Sequence, residues 1–161
     1  MAVRQRMFYR GLFKPKNPKK YRGNVRNIVY RSQWECQYMH LLDTNESVVS
    51  WVSEEIVIKY YNPIKLRWAR YFPDFLIEMK DKDGKIVKAL VEIKPFHEIA
   101  PPRQNGKKMQ TYLYETMTYA VNQAKWRSAK KWCDEHKVKF YVVTKDKKDK
   151  FQLLNEDNLQ L

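Results

Sequence analysis

The sequence predicts an α/β fold in which a mixed β-sheet is flanked by helices. Three observations carry this. An apolar stripe, Trp34, Tyr38, Leu41 and Leu42, recurs at helical spacing. Strand-like runs joined by short turns follow it, and a long helical stretch then precedes a last β run. At 161 residues the chain suits one domain with its own core, and 43% hydrophobic content with 14% aromatics excludes whole-chain disorder. No apolar run approaches the roughly 18 residues that cross a bilayer, and charges stand where a signal peptide needs its apolar stretch. Neither membrane insertion nor secretion is expected.

In chain order, the first helix begins from residue 30 and stops near Asp43-Thr44-Asn45. Strand-like runs occupy residues 48–52, 56–61, 70–79 and 86–94, the last two joined by the charged turn Asp81-Lys82-Asp83-Gly84-Lys85. Pro95, Pro101 and Pro102 bound a loop. Helical composition resumes over 107–135 in two pieces with a break near Asn122, and a β run at 139–144 precedes a charged tail. The core order reads α-β-β-β-α-β. Residues 1–26 form a basic, partly extended arm, 27–145 the core and 146–161 the tail. Trp126, Ala129, Trp132 and Cys133 repeat at helical spacing as core residues, and Trp51 and Trp68 are expected to pack.

Cys36 and Cys133 lie 97 positions apart without a CxxC or a nearby histidine, so they read as reduced, packed thiols. His40, His97 and His136 are equally scattered. Any metal must therefore be held by oxygens.

The net charge of +14 divides unevenly. Residues 1–34 hold Arg4, Arg6, Arg10, Lys14, Lys16, Lys19, Lys20, Arg22, Arg26 and Arg31 without one acid, so this segment alone carries +10. The remainder is nearly balanced, with 22 cations against 18 acids. A polyanion such as double-stranded DNA is the partner such an arm fits, its cations meeting phosphates while Phe8, Tyr9, Phe13 and Tyr21 pack against bases or sugars. A solvated tail or a localisation signal is the competing reading.

The stretch that carries chemistry is Tyr71-Phe72-Pro73-Asp74-Phe75-Leu76, followed beyond the turn by Val91-Glu92-Ile93-Lys94-Pro95. Glu92 and Lys94 are two apart in a strand and share a face. A three-residue loop, Lys82-Asp83-Gly84, with Gly84 left-handed, pairs Asp81 with Lys85. That register sets Glu78 opposite Lys88, Leu76 opposite Leu90, and Asp74 opposite Glu92. Like charges opposite one another destabilise a sheet, so the acid pair needs a reason. A divalent cation supplies one: Asp74, Glu92 and the Ile93 carbonyl can hold Mg²⁺, with Mn²⁺ as a substitute, and Lys94 can orient or activate a water. That is equipment for phosphodiester hydrolysis. An exposed strand face with Lys94 balancing the acids remains the alternative.

Glu35 has two readings. On the helical wheel it borders the buried stripe and can face the sheet as a third acid, but Ser32-Gln33-Trp34-Glu35 is also a capping box in which it would bond the Ser32 N–H. Gln123 and Lys125 are candidates to support the metal ligands or hold phosphate, against an ordinary role on a solvated helix face.

At these residues the sequence resembles the PD-(D/E)xK nuclease superfamily, through Pro73-Asp74, Glu92-Ile93-Lys94 and the preceding Glu35. Longer words narrow the resemblance: Phe13-Lys14-Pro15-Lys16-Asn17-Pro18, Val29-Tyr30-Arg31-Ser32-Gln33-Trp34-Glu35, Trp51-Val52-Ser53-Glu54-Glu55, Arg70-Tyr71-Phe72-Pro73-Asp74-Phe75 and Asn122-Gln123-Ala124-Lys125-Trp126. Together they are similar to the head-completion nucleases of T-even-type tailed phages, themselves similar to transposase A-subunit endonucleases. The resemblance spans residues 11–144 and implies a restriction-endonuclease-like αβββαβ core. It implies metal-dependent DNA cleavage in the host cytoplasm as filled heads become competent to join tails, with portal or other head-completion proteins as candidate partners. Asp74 and Glu92 would serve the metal, Lys94 catalysis, and Glu35 as the additional acid. A non-catalytic DNA-binding structural head-completion or portal protein and a transposase-like or junction-resolving endonuclease are the rival readings.

Overall fold

Ser32 caps the first long helix, its hydroxyl accepting the Glu35 N–H at 3.1 Å, so the helix begins at Gln33, three residues after the sequence expectation. A computed structural model describes residues 9–161. Two short strands, β1 (Gly11–Leu12) and β2 (Val29–Tyr30), pair ahead of α1 (Gln33–Thr44). There follow β3 (Val48–Ser53), β4 (Ile58–Asn62), β5 (Arg67–Tyr71), β6 (Phe75–Lys80), β7 (Ile86–Ile93), the single turn α2 (Phe96–Ile99) and the long α3 (Met109–His136). The chain ends with β8 (Lys139–Lys145), β9 (Phe151–Leu154) and α4 (Glu156–Leu159).

The main sheet has the order β3-β6-β7-β8-β9 and is mixed, with β7 and β8 parallel and the other pairs antiparallel. Strand alternation sends one residue set to each face. Phe75, Ile77, Val91, Ile93 and Val143 pack with Tyr38, Met39 and Leu42 of α1 on one side. Leu90, Phe140 and Val142 pack with Trp126, Ala129 and Cys133 of α3 on the other. The expected α/β class and helix-flanked mixed sheet are what the chain forms.

The β6–β7 register is the expected one: Glu78 pairs with Lys88 and Leu76 with Leu90. Gly84 takes φ +77°, and the Asp81 N–H reaches the Lys85 carbonyl at 2.8 Å.

Several elements differ from expectation. The run 70–79 is interrupted at Phe72-Pro73-Asp74, because Pro73 has no N–H for the ladder. Its first part turns back on β4 to make a separate two-stranded ribbon, which leaves the main sheet. No break occurs near Asn122; that side chain donates to the Glu98 carbonyl at 3.5 Å and the helix runs through. Trp68 is 69% exposed rather than packed, and Leu41 of the α1 stripe is exposed while Met39 is buried in its place. Residues 146–161 are not merely a charged tail: Phe151–Leu154 supplies the edge strand and Leu159 is buried against α3's core.

The basic segment is docked where it is described. Phe13 and Tyr21 are buried against Trp51 instead of being offered to bases. Asp43, fully buried at the end of α1, accepts the N–H groups of Lys16 at 2.7 Å and Asn17 at 3.0 Å. Among the described residues no helix is long and apolar enough to cross a membrane.

Candidate active site

Asp74 precedes β6 and Glu92 lies near the end of β7, on the sheet face that α3 covers. One carboxylate oxygen of Asp74 accepts the Ile93 N–H at 2.7 Å, which ties the acid to the neighbouring strand just beyond the last ladder pair, Phe75 with Val91. A strand residue points its N–H and C=O to the same side, so the Ile93 carbonyl leaves along the edge that Asp74 occupies. The Lys94 N–H bonds instead to the Val143 carbonyl of β8 at 2.9 Å, fixing this end of the strand from the other side.

Glu92 is buried and doubly partnered. Tyr71 donates its hydroxyl to Oε2 at 2.8 Å, and Lys94 Nζ lies 3.5 Å from Oε1. Lys94 also stands 3.8 Å from Glu98 on α2. Lys125 projects from α3 with its ammonium 5.5 Å from the Tyr71 ring centroid and 5.8 Å from that of Tyr60. Asp74, Glu92 and Lys94 thus converge, and Lys125 approaches behind an aromatic wall.

Electrostatics register the crowding. Burial and the neighbouring Glu92 charge hold the Asp74 carboxyl well above its ordinary range, against the pull of the Ile93 N–H. Burial also raises Glu92, though Lys94 and the Tyr71 hydroxyl partly offset it. Burial pulls Lys94 down, but Glu92 and Asp74 outweigh that and leave it raised. Lys125 is lowered, first by burial and then by the positive charge of Lys94. Tyr71 is raised far up by burial and the two acids, so it remains a proton donor.

The other expected residues fall elsewhere. Glu35 caps α1: its Oε2 accepts the Arg31 N–H at 2.8 Å, one residue upstream of the expected Ser32 N–H, and Oε1 accepts from the Ser32 hydroxyl. It nonetheless contributes negative charge at Asp74. Arg31, which forms an ion pair with Glu54, lies within the field of Asp74. Gln123 is buried with its amide donating to the Leu159 carbonyl at 3.2 Å, so it holds the C-terminal turn. Arg10, Lys14, Lys16, Lys19, Arg22 and Arg26 are exposed and Lys20 half-buried with its ammonium on the Asn45 carbonyl. Arg4, Arg6 and Phe8 lie outside the described residues.

Sequence reasoning missed Tyr71 as the donor to Glu92. Its alternation with Pro73 ahead of Asp74 was the available signal, but a Tyr in a strand has many packing roles.

Comparison with known proteins shows the family. Residues 45–145, more than half of the chain and spanning both acids and Lys94, match the family described as TnsA-like endonuclease N terminal. The head completion nuclease of Enterobacteria phage T4 is 36% identical over 144 residues, covering 87% of this chain and 93% of that protein. No solved structure matches the chain significantly. With acids and lysine meeting at the end of β7 inside the matched region, the chain belongs to the TnsA-like endonuclease family, together with the phage T4 head completion nuclease.

Proposed function

We propose that this protein is a divalent-cation-dependent DNA nuclease that hydrolyses phosphodiester bonds during phage head completion, in the host cell and beside portal or other head-completion proteins. The convergence of Asp74, Glu92 and Lys94 carries the reading, supported by the relatives named above.

The donor set fits a hard cation such as Mg²⁺ or Mn²⁺. A half-buried carboxylate, Asp74, beside a buried one, Glu92, both with protons held unusually tightly, is a site short of positive charge. Asp74 Oδ1 receives no protein hydrogen bond among the described residues, since Ile93 takes Oδ2. Two carboxylates and a carbonyl leave coordination positions open for the several waters that Mg²⁺ keeps. Asp74, Glu92 and the Ile93 carbonyl would hold it. When bound, such a cation supplies Lewis acidity at the scissile phosphate and eases deprotonation of an attacking water.

The chain's own groups do the rest. Tyr71 fixes the rotamer of Glu92, leaving Oε1 beside Lys94. The Lys94 ammonium, held between Glu92 and Glu98, orients a water by hydrogen bonding and offsets charge developing on phosphate oxygens. Lys125, backed by Tyr60 and Tyr71, adds positive charge near the same place. The exposed cations of residues 10–31 bring duplex DNA to the molecule.

The test is cleavage of supercoiled plasmid with and without Mg²⁺. Wild-type protein should nick or linearise the plasmid only with the cation, and Asp74→Asn or Lys94→Ala should remove cutting while preserving DNA binding. Cutting that survives both substitutions overturns the assignment.

A further inference from the structure

The β4–β5 ribbon has a buried front and an exposed back. Ile58, Tyr60 and Tyr71 on the front pack against α3, and Tyr71 reaches Glu92. The back is formed by two cross-strand pairs, Lys59 with Arg70 and Tyr61 with Trp68. Folding alone accounts for neither. Like charges directly opposite destabilise a ribbon, and an indole 69% exposed beside a tyrosine 46% exposed forfeits apolar burial.

The two rings lie edge to face with centroids 5.7 Å apart, and a shallow concavity of about 520 Å³ is lined by Lys59, Trp68, Ala69 and Arg70. Residues 56–73 contain four cations, Lys59, Lys65, Arg67 and Arg70, and no acid. Among the described residues none of the four is in an ion pair. The ribbon's tip is rigid, because Asn62 Oδ1 accepts the N–H groups of Ile64 at 2.9 Å and Lys65 at 3.0 Å.

We propose that this outward face is a binding platform for single-stranded DNA, with unpaired bases stacking on Trp68 and Tyr61 while Lys59 and Arg70 contact the flanking phosphates. The inference rests on DNA being the substrate and deepens that reading. A polyanion matches the four cations of the ribbon, with Lys131 and a single acid, Glu135, on the neighbouring helix, and the rings specify which kind: duplex DNA hides its base faces in the stack, whereas unpaired nucleotides offer them. Because the front of the ribbon contacts Glu92, the preferred substrate is a duplex with a single-stranded end or flap near the cleaved bond.

The experiment measures affinity by fluorescence anisotropy in EDTA, where no cutting occurs, for one duplex in blunt form and with a short oligothymidine tail. Wild-type protein should bind the tailed form at least about tenfold more tightly, the size expected from stacking a single base. The double substitution Trp68→Ala, Tyr61→Ala should bring the two affinities together, and Trp68→Phe, which keeps a ring, should restore most of the difference. Lys59→Gln with Arg70→Gln should reduce the salt slope on tailed DNA by about 2 phosphate contacts. A wild-type protein without tail preference, or a double variant that keeps it, overturns the platform and leaves the face to a protein partner. Plasmid cleavage in Mg²⁺ separates the two readings: absent cutting with intact tail preference removes the nuclease, and the reverse removes only the platform.

Discussion

The Tyr71 hydroxyl donates to Glu92 Oε2 at 2.8 Å, so the ribbon that precedes Asp74 in the chain also orients the acid facing it. Without this donor Glu92 would lose one of the interactions that restrain its upward shift. Tyr71→Phe should therefore move the acidic limb of the cleavage pH profile to higher pH. It should also raise the Mg²⁺ concentration needed for half-maximal rate by about 10–100-fold, the usual effect of losing a group that orients a metal ligand. A profile and Mg²⁺ titration identical to wild type would remove Tyr71 from the site.

Asp74 sets activity against stability. Its folded-state proton is held more tightly than in the unfolded chain, so around this site the folded protein binds more protons at intermediate pH. Its contribution to stability consequently falls as pH rises from the ordinary carboxylate range through the raised value. Asn at this position removes the charge and keeps an acceptor for the Ile93 N–H. In metal-free protein at neutral pH, Asp74→Asn should raise Tm by roughly 2–4 °C, about 1 kcal/mol for a domain of this size. The same variant should cut about a thousandfold more slowly, the several kcal/mol a Lewis acid supplies to the transition state. Calorimetry at two pH values and a plasmid assay check both; a lower Tm at neutral pH would contradict the charge argument.

Much of this site was legible because strand pairing is arithmetic. Gly84 and the Glu78–Lys88 and Leu76–Leu90 pairs specify one register; the ladder ends at Phe75–Val91, so the expected Asp74–Glu92 pair does not form, but Asp74 is carried to the end of β7, where it accepts the Ile93 N–H. Tertiary choices were harder to read. Alternation along 58–62 says that one ribbon face is buried but not which strand it packs against, so Trp68 looked like core. Asp43 looked like a helix stop, because two backbone donors from residues 26 and 27 positions away have no sequence pattern. Phe151 and Leu154 were too sparse among charges to announce an edge strand. Glu35 was read both as cap and as acid; it closes the helix on the Arg31 N–H while still adding to the field at Asp74.

Those two contributions of Glu35 separate under substitution. Glu35→Gln keeps an oxygen for the Arg31 N–H and loses the charge, so the unfolding free energy should stay within about 0.5 kcal/mol of wild type. Its Mg²⁺ affinity, measured by calorimetry, should drop several-fold because Asp74 loses a neighbouring negative charge. Glu35→Ala should show the same affinity loss and cost in addition about 1 kcal/mol from the weakened cap. If the Gln variant binds Mg²⁺ like wild type, Glu35 serves the helix alone.

Asp43 determines where the basic segment sits. Its buried carboxylate satisfies the Lys16 and Asn17 N–H groups, and Asn17 returns a side-chain bond to the Asp43 carbonyl at 2.9 Å. Asp43→Ala leaves two backbone donors without a partner and should cost about 2–3 kcal/mol, seen as a lower midpoint in urea. Asp43→Asn presents one acceptor oxygen and should recover part of that loss. The docked segment carries Lys14, Lys16, Lys19, Lys20 and Arg22, whose fixed placement favours simultaneous phosphate contacts. Releasing it should weaken duplex binding at low salt while the number of cations is unchanged, so the affinity falls with little change in salt slope. A slope that falls by several contacts would instead mean that the segment no longer reaches DNA at all.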